Sequence, residues 1–251
     1  MIIEARDGEG DGMRGRTMDY GLWTIKIGKQ IMLFLIIVHG PWSMVHSPLL
    51  ANPGSKVIES FQDELLHQFP KSFKTWPFQR GKAKKVYQVK EEGENRFLSA
   101  KDDQNISQQI FKEFDWKIQH YPYLKWRWRA RVLPEGAREN DPQKNDSACS
   151  VYVIFGKTSG TALKFTWSTS LKEGTVYEKK PGELVMKILE SGPKYLNRWR
   201  QHSVHIPKTY EELLKGPLKK NPTGFAILTD GNAVQKEAAC DYDDFEISSV
   251  P

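Results

Sequence analysis

The clearest pattern in the chain is a strict alternation over residues 124–132, where Leu124, Trp126, Trp128, Ala130 and Val132 interleave with Lys125, Arg127, Arg129 and Arg131. A period of two places the apolar set on one face of a strand and the basic set on the other, whereas a helix would scatter both round its axis. Pro134-Glu135-Gly136 ends the run. Residues 163–168 alternate in the same way, and residues 151–155 are apolar on both faces, as a central strand is. Further strands are expected over residues 184–189, 199–206, 225–229 and 242–247, with weaker candidates at 85–90, 96–100 and 106–114. About ten short strands with turn residues between them, and no βαβ rhythm, predict an all-β fold: a two-sheet β-sandwich of jelly-roll type. One short helix is expected near residues 209–215, where Thr209-Tyr210-Glu211-Glu212 reads as a capping box and Gly216-Pro217 as a stop. Residues 56–69 are ambiguous. Val57, Phe61, Leu65 and Phe69 keep a four-residue spacing, yet Phe61 also suits the start of a strand.

The N-terminal region follows a different pattern. Lys26 and Lys29 precede an apolar run over residues 31–38, which His39-Gly40-Pro41 breaks. The run is too short to cross a bilayer, which takes about 20 residues, and fits a secretory signal peptide with Met18 as an alternative start. Ala51 offers a small residue at the cut, although Leu49 suits it poorly. Residues 1–51 are therefore expected to be an N-terminal extension and signal peptide, and residues 52–251 a single β-sandwich domain. The mature protein is expected to be periplasmic or secreted, with no stable membrane span after processing. A buried apolar helix or an uncleaved anchor is the alternative.

Composition agrees with a globular domain: 39% of the 251 residues are hydrophobic and 12% aromatic, too many for a disordered chain. Thirty-seven basic residues against 31 acidic ones give a formal charge of +6. Such a surplus favours polyanions in general and names none of them. The two cysteines, Cys149 and Cys240, are expected to be free buried thiols. Export would allow a bridge, which needs Cα atoms within about 7 Å.

Motifs for chemistry mostly fail on spacing. Gly156-Lys157-Thr158 lacks the glycine that a phosphate-binding loop needs five residues earlier, where Val151 stands. His202 and His205, three apart on a strand, point to opposite faces and do not suit a shared metal. Asp230-Gly231-Asn232 opens like a calcium loop, but Gln235 replaces the required glycine. No cofactor or metal is expected, and a structural calcium at Asp241, Asp243 and Asp244 stays open beside plain turn chemistry. No G-x-S-x-G elbow occurs, so an enzyme reading has no motif behind it. The Trp/Arg strand suits stacking and phosphate contacts, but an exported protein rarely meets nucleic acid, and that partner is set aside.

Several segments together resemble one family. Pro122-Tyr123-Leu124-Lys125-Trp126-Arg127-Trp128-Arg129 resembles a "P-x-L-x-W-x-W-R" strand, and Leu163-Lys164-Phe165-Thr166-Trp167-Ser168 an "L-K-Y-x-W-S" segment. Gly224-Phe225-Ala226-Ile227-Leu228-Thr229-Asp230 is similar to "G-I-A-I-x-T-D", and Ala239-Cys240-Asp241-Tyr242-Asp243-Asp244-Phe245 to a closing "A-x-A-x-Y-D-D-F". These residues resemble the bacterial family catalogued as domain of unknown function thirty forty-seven, over about residues 57–248. Ser147 stands where a second Asp is usual. The resemblance implies an exported protein without an established reaction.

The functional expectation is a non-catalytic binding module for a glycan or an anionic envelope polymer. Arg127 and Arg129 would pair with acidic groups of the ligand. Tyr152, Lys164 and Thr166 would share the arginine face if their strands lie alongside in register. Asp146 and Asp230, at strand ends, would hydrogen-bond hydroxyls or hold a cation. One alternative is a glycan-directed hydrolase with Asp146 and Asp230 as its carboxylate pair. Another is a structural or protein-binding envelope component, which predicts an exposed apolar patch.

Overall fold

A computed structural model of the chain describes residues 54–156 and 160–251. The expected leader and Lys157-Thr158 lie outside the described residues. Thirteen strands are described: β1 (Ser55–Glu59), β2 (Lys74–Thr75), β3 (Tyr87–Glu92), β4 (Asn95–Asp102), β5 (Ile110–Glu113), β6 (Tyr123–Val132), β7 (Ser147–Phe155), β8 (Thr161–Ser168), β9 (Val176–Lys180), β10 (Leu184–Ser191), β11 (Arg200–His205), β12 (Gly224–Asp230) and β13 (Ala238–Ser248). Helix α1 (Arg80–Val86) precedes β3, and α2 (Ile206–Leu214) follows β11. The first sheet runs β11-β6-β13-β4-β3, with β1 added along β13; the second runs β2-β5-β12-β7-β8-β10-β9. Neighbours pair antiparallel except β8 and β10, which are parallel. The fold is the expected all-β, two-sheet sandwich.

The two sheets bury one shared core, because each central strand turns its large apolar side chains the same way. From the first sheet come Trp126, Trp128, Tyr242 and Phe245; from the second come Val151, Val153, Phe165, Trp167 and Phe225. Trp126 and Trp128 meet edge to face, with ring centroids 5.5 Å apart. Tyr242 reaches across the core, where its hydroxyl accepts from the Ser150 amide at 3.0 Å.

The cysteines differ from expectation. Cys149 on β7 and Cys240 on β13 both point inward from facing sheets, with Cα atoms 5.5 Å apart, and form a disulfide. Both were expected to be buried, as they are, but local sequence carries no information about the gap between them.

The helices also differ. α1 was not expected, and it takes the first two residues of the strand candidate at 85–90. α2 begins before the proposed capping box. His205 caps it, its Nδ1 accepting from the Lys208 amide at 3.1 Å, and Pro207 sits in the first turn, where no amide is required. Thr209 is therefore buried inside the helix. The ambiguous stretch resolves into β1, followed by Phe61, which is buried and stacked on Phe73.

Candidate functional site

The outward face of the first sheet carries the arginine row. Register opposes Arg127 to Asp243 and Arg129 to Asp241, so the basic face of β6 meets the acidic face of β13. Arg127 Nη2 lies 2.6 Å from Asp243 Oδ2, and its Nε 2.7 Å from Asp244 Oδ2. Arg129 Nη2 lies 2.9 Å from Asp241 Oδ2 and its Nη1 2.9 Å from Glu92, while Arg131 Nη1 reaches the same Asp241 oxygen at 3.1 Å. The Trp199 ring sits over both inner guanidiniums, its centroid 4.7 Å from Arg127 Cζ and 4.6 Å from Arg129 Cζ. Burial, with Asp244 adding to it, pushes the Asp243 carboxyl up to about 6 despite Asn95 and Arg127. The aspartates raised above as calcium ligands thus each face a guanidinium. Three arginines meet four carboxylates, and the row presents no net positive charge.

Beside the row lies an open groove of about 280 Å³. Phe97 supplies apolar floor, Lys90, Ser99, Arg131 and Asn197 supply donors, and Asp241 supplies an acceptor. Trp199 closes the neighbourhood edge to face with Phe97 at 5.6 Å.

The remaining predicted residues are elsewhere. Tyr152, Lys164 and Thr166 belong to β7 and β8 of the second sheet, not to the arginine face. Alternation separates inside from outside but does not say which sheet a strand joins. On the side of that sheet turned away from the core they form a buried polar cluster. Lys164 Nζ donates to Ser147 Oγ at 3.1 Å, and Ser147 Oγ shares a hydrogen bond with Ser150 Oγ at 3.0 Å. Ser150 Oγ in turn lies 3.4 Å from Thr166 Oγ1. Lys164 Nζ sits 5.5 Å from the Tyr152 ring centroid.

Asp146 and Asp230 both belong to this buried neighbourhood: Asp146 precedes Ser147 in the chain, and Asp230 pairs with Ser147 across β12 and β7. Asp230 accepts from the Ser147 amide and from Ser107 Oγ, each at 3.2 Å, and Asp146 Oδ2 accepts from the Val234 amide at 2.7 Å. Burial raises Asp230 to about 6, with Lys164 opposing and Asp146 reinforcing the shift. Burial lowers the Lys164 ammonium and raises the Glu139 carboxyl. Asp146 Oδ1 and Glu139 Oε1 are buried without a hydrogen-bond partner. Glu139 comes from the loop over residues 135–146, which folds onto β8 through Ser168 Oγ donating to Glu139 Oε2. Among the described residues, no three His, Cys, Asp or Glu are grouped to hold a metal ion.

Sequence reasoning missed Trp199, Arg131 as groove lining, Ser147, Ser150 and Glu139. Only Arg131 carried a signal, as part of the basic alternation. Trp199 reads like any core aromatic, and Glu139 like any loop acid.

Residues 71–246 match the profile of a family described as "Protein of unknown function (DUF3047)". No curated protein matches the chain. Among solved structures it is similar to a family 29 carbohydrate-binding module from Piromyces equi, with 8% identity and a TM-score of 0.33 over 78% of this chain and 90% of that one. It is also similar to Caldicellulosiruptor saccharolyticus CBM27-1 in complex with mannohexaose, with 11% identity and a TM-score of 0.38 over 78% and 98% of the two chains. Endoglucanase 3 of Trichoderma harzianum, from family GH12, gives 9% identity and a TM-score of 0.38 over 66% and 83%.

Proposed function

We propose that this chain, which belongs to the DUF3047 family, is a non-catalytic binding module for a glycan held in the groove beside the arginine row. The observation that carries the reading is the mixed lining of that groove: an apolar floor at Phe97, donors from Lys90, Ser99, Arg131 and Asn197, and the Asp241 carboxylate. A sugar ring presents C–H faces and a rim of hydroxyls that both donate and accept, which such a lining matches. The volume is just under that of ordinary ligand pockets, about 300–1,000 Å³, and suits a short stretch of glycan. The protein's own carboxylates occupy Arg127 and Arg129. Arg131 shares Asp241 with Arg129, and Lys101 pairs with Glu237, so the protein's own acids meet most of the lining cations, which favours a neutral glycan; Arg127 and Arg129 hold the wall that Trp199 rests on. The buried disulfide supports placing the module outside the cytoplasm, periplasmic or secreted, in an oxidising compartment.

A glycan array followed by titration calorimetry tests this reading. Neutral glycans should be retained, and Arg131→Ala with Asn197→Ala should weaken binding about tenfold, the loss of one to two hydrogen bonds. Retention of acidic glycans alone, or unchanged affinity in the double variant, would overturn it.

A second reading, glycan-directed hydrolysis, is favoured by one observation: Asp230, raised to about 6, stands with Asp146 around Ser147 and Lys164. A carboxyl group raised into this range suits a general-acid role. Reducing-end release that Asp230→Asn abolishes, while leaving glycan retention intact, would establish it; no release by the wild type would remove it.

A further inference from the structure

The turn joining β2 to α1 places large apolar side chains in water. Trp76 is 56% exposed and Phe78 fully so. The Gln79 amide donates to the Trp76 carbonyl at 3.1 Å, closing a turn with Pro77 at its second position and Phe78 at its third. Phe78 has φ of 62°, a conformation that favours Gly or Asn and that a bulky residue rarely adopts. The turn is thus doubly unfavourable for an isolated domain: the wrong residue for the backbone, and a ring with no polar edge in solvent. Trp76 leans on Phe111, centroids 5.7 Å apart, which extends the apolar tip onto β5.

Around this tip the chain gathers its positive charge. Between Lys71 and Lys90 there are seven basic residues and no acidic one. Removing those seven from the 37 basic residues leaves 30 against 31 acidic, so this stretch holds the entire surplus. Arg80, Lys82, Lys84 and Lys85 are exposed on α1, which is held to the body by buried Ala83 and Val86. Glu113, paired with Lys74, is the one acid that an ion pair brings to the stretch among the described residues.

We propose that the Trp76–Phe78 turn and α1 form a docking surface for an anionic lipid bilayer, with both rings in the interfacial layer and the α1 cations against lipid phosphates. A lipid surface is layered, with hydrocarbon beneath a sheet of phosphate. An apolar tip ringed by cations on flexible stems matches that profile in both charge and depth. Trp favours the interface, and Phe gains by leaving water altogether. Phe78 is fully exposed and carries no polar group, and the charged side chains nearest it in sequence, Lys74, Arg80 and Lys82, are all cations, which suits an anionic surface better than a neutral sugar. None of the residues of the Trp76–Phe78 turn or of α1 lines the glycan groove, so the two surfaces can be tested separately.

The test is co-sedimentation of the full chain with phosphatidylcholine vesicles, with and without phosphatidylglycerol, and with single-stranded DNA as a soluble polyanion. Every variant keeps residues 1–51, so any contribution of the apolar run 31–38 is common to all. Binding should require phosphatidylglycerol and weaken with salt. It should fall about tenfold in Trp76→Ser/Phe78→Ser and in Lys82→Glu/Lys84→Glu/Lys85→Glu. An environment-sensitive dye on Phe78→Cys should shift to the blue when vesicles are added. The substituted side chains are exposed, so thermal unfolding should be unchanged. Equal binding to neutral vesicles, no shift at position 78, or DNA binding as tight as vesicle binding and indifferent to Phe78→Ser would each overturn the proposal; the last would make this a surface for soluble polyanions.

Discussion

The disulfide gives the sharpest test of how the two sheets are held. Cys149 and Cys240 are 91 residues apart, and the loop they close contains β8 to β12 and α2. In the chain-entropy treatment, closing a loop of that length removes about 4–5 kcal/mol of freedom from the unfolded chain. Native domains are stable by only about 5–15 kcal/mol, so about a quarter or more of the total rests on this one link. Reduction, or Cys149→Ala/Cys240→Ala, should therefore lower the urea midpoint by roughly 1.3–2.5 M for a slope of about 2–3 kcal/mol per M. The assay is urea unfolding followed by tryptophan fluorescence, with and without reductant, on the wild type and the double variant. Reductant should shift the wild type and leave the variant alone. An unchanged wild-type midpoint, or two titratable thiols in the oxidised native protein, would refute the reasoning.

Three further outcomes follow from the same geometry. Asp241→Asn strands Arg129 and Arg131 beside a neutral amide and should cost about 3 kcal/mol in urea unfolding; a loss under about 0.5 kcal/mol would show the pair to be dispensable. Asp230 binds its proton more tightly folded, near 6, than at its ordinary 3.8, so its contribution to stability is present below pH 3.8 and is lost as pH rises through about 6. Asp230→Asn should flatten part of that slope in a pH series of thermal unfolding, with the share due to Asp243 remaining, and an unaltered slope would contradict it. Gly231→Ala would place a Cβ 1.8 Å from the Lys236 carbonyl oxygen, in the turn closed by the Lys236 amide, and should cost about 1–3 kcal/mol by calorimetry.

The inside and outside of β6 were readable because each face makes its own demand: indoles need a core, and guanidiniums need water or carboxylates. The partners of those guanidiniums were not readable. Asp241 is 112 residues from Arg129, and only the register of β13 against β6 brings them level. The same gap explains placing Tyr152 and Lys164 with Arg127. Their outward phase was right, but their sheet is set by pairing, which local pattern does not encode. Asp146 and Asp230 were singled out as strand-end acids and lie near enough to influence each other's charge; Ser147, which hydrogen-bonds Asp230, looked like a departure from the family pattern. α1 spans only seven residues, too few for a helical period to show, and α2 is capped by a histidine where Ser, Thr, Asp or Asn is the usual signal.

Strand β13 lies between β6 and β4 and also takes β1 along its length, yet it follows all of them in the chain. Synthesis runs in one direction, so the middle of this sheet is its last part to leave the ribosome. Until residues 238–248 have emerged, β6 and β4 have no common neighbour and Cys149 no partner, so one late strand closes both the first sheet and the covalent link to the second.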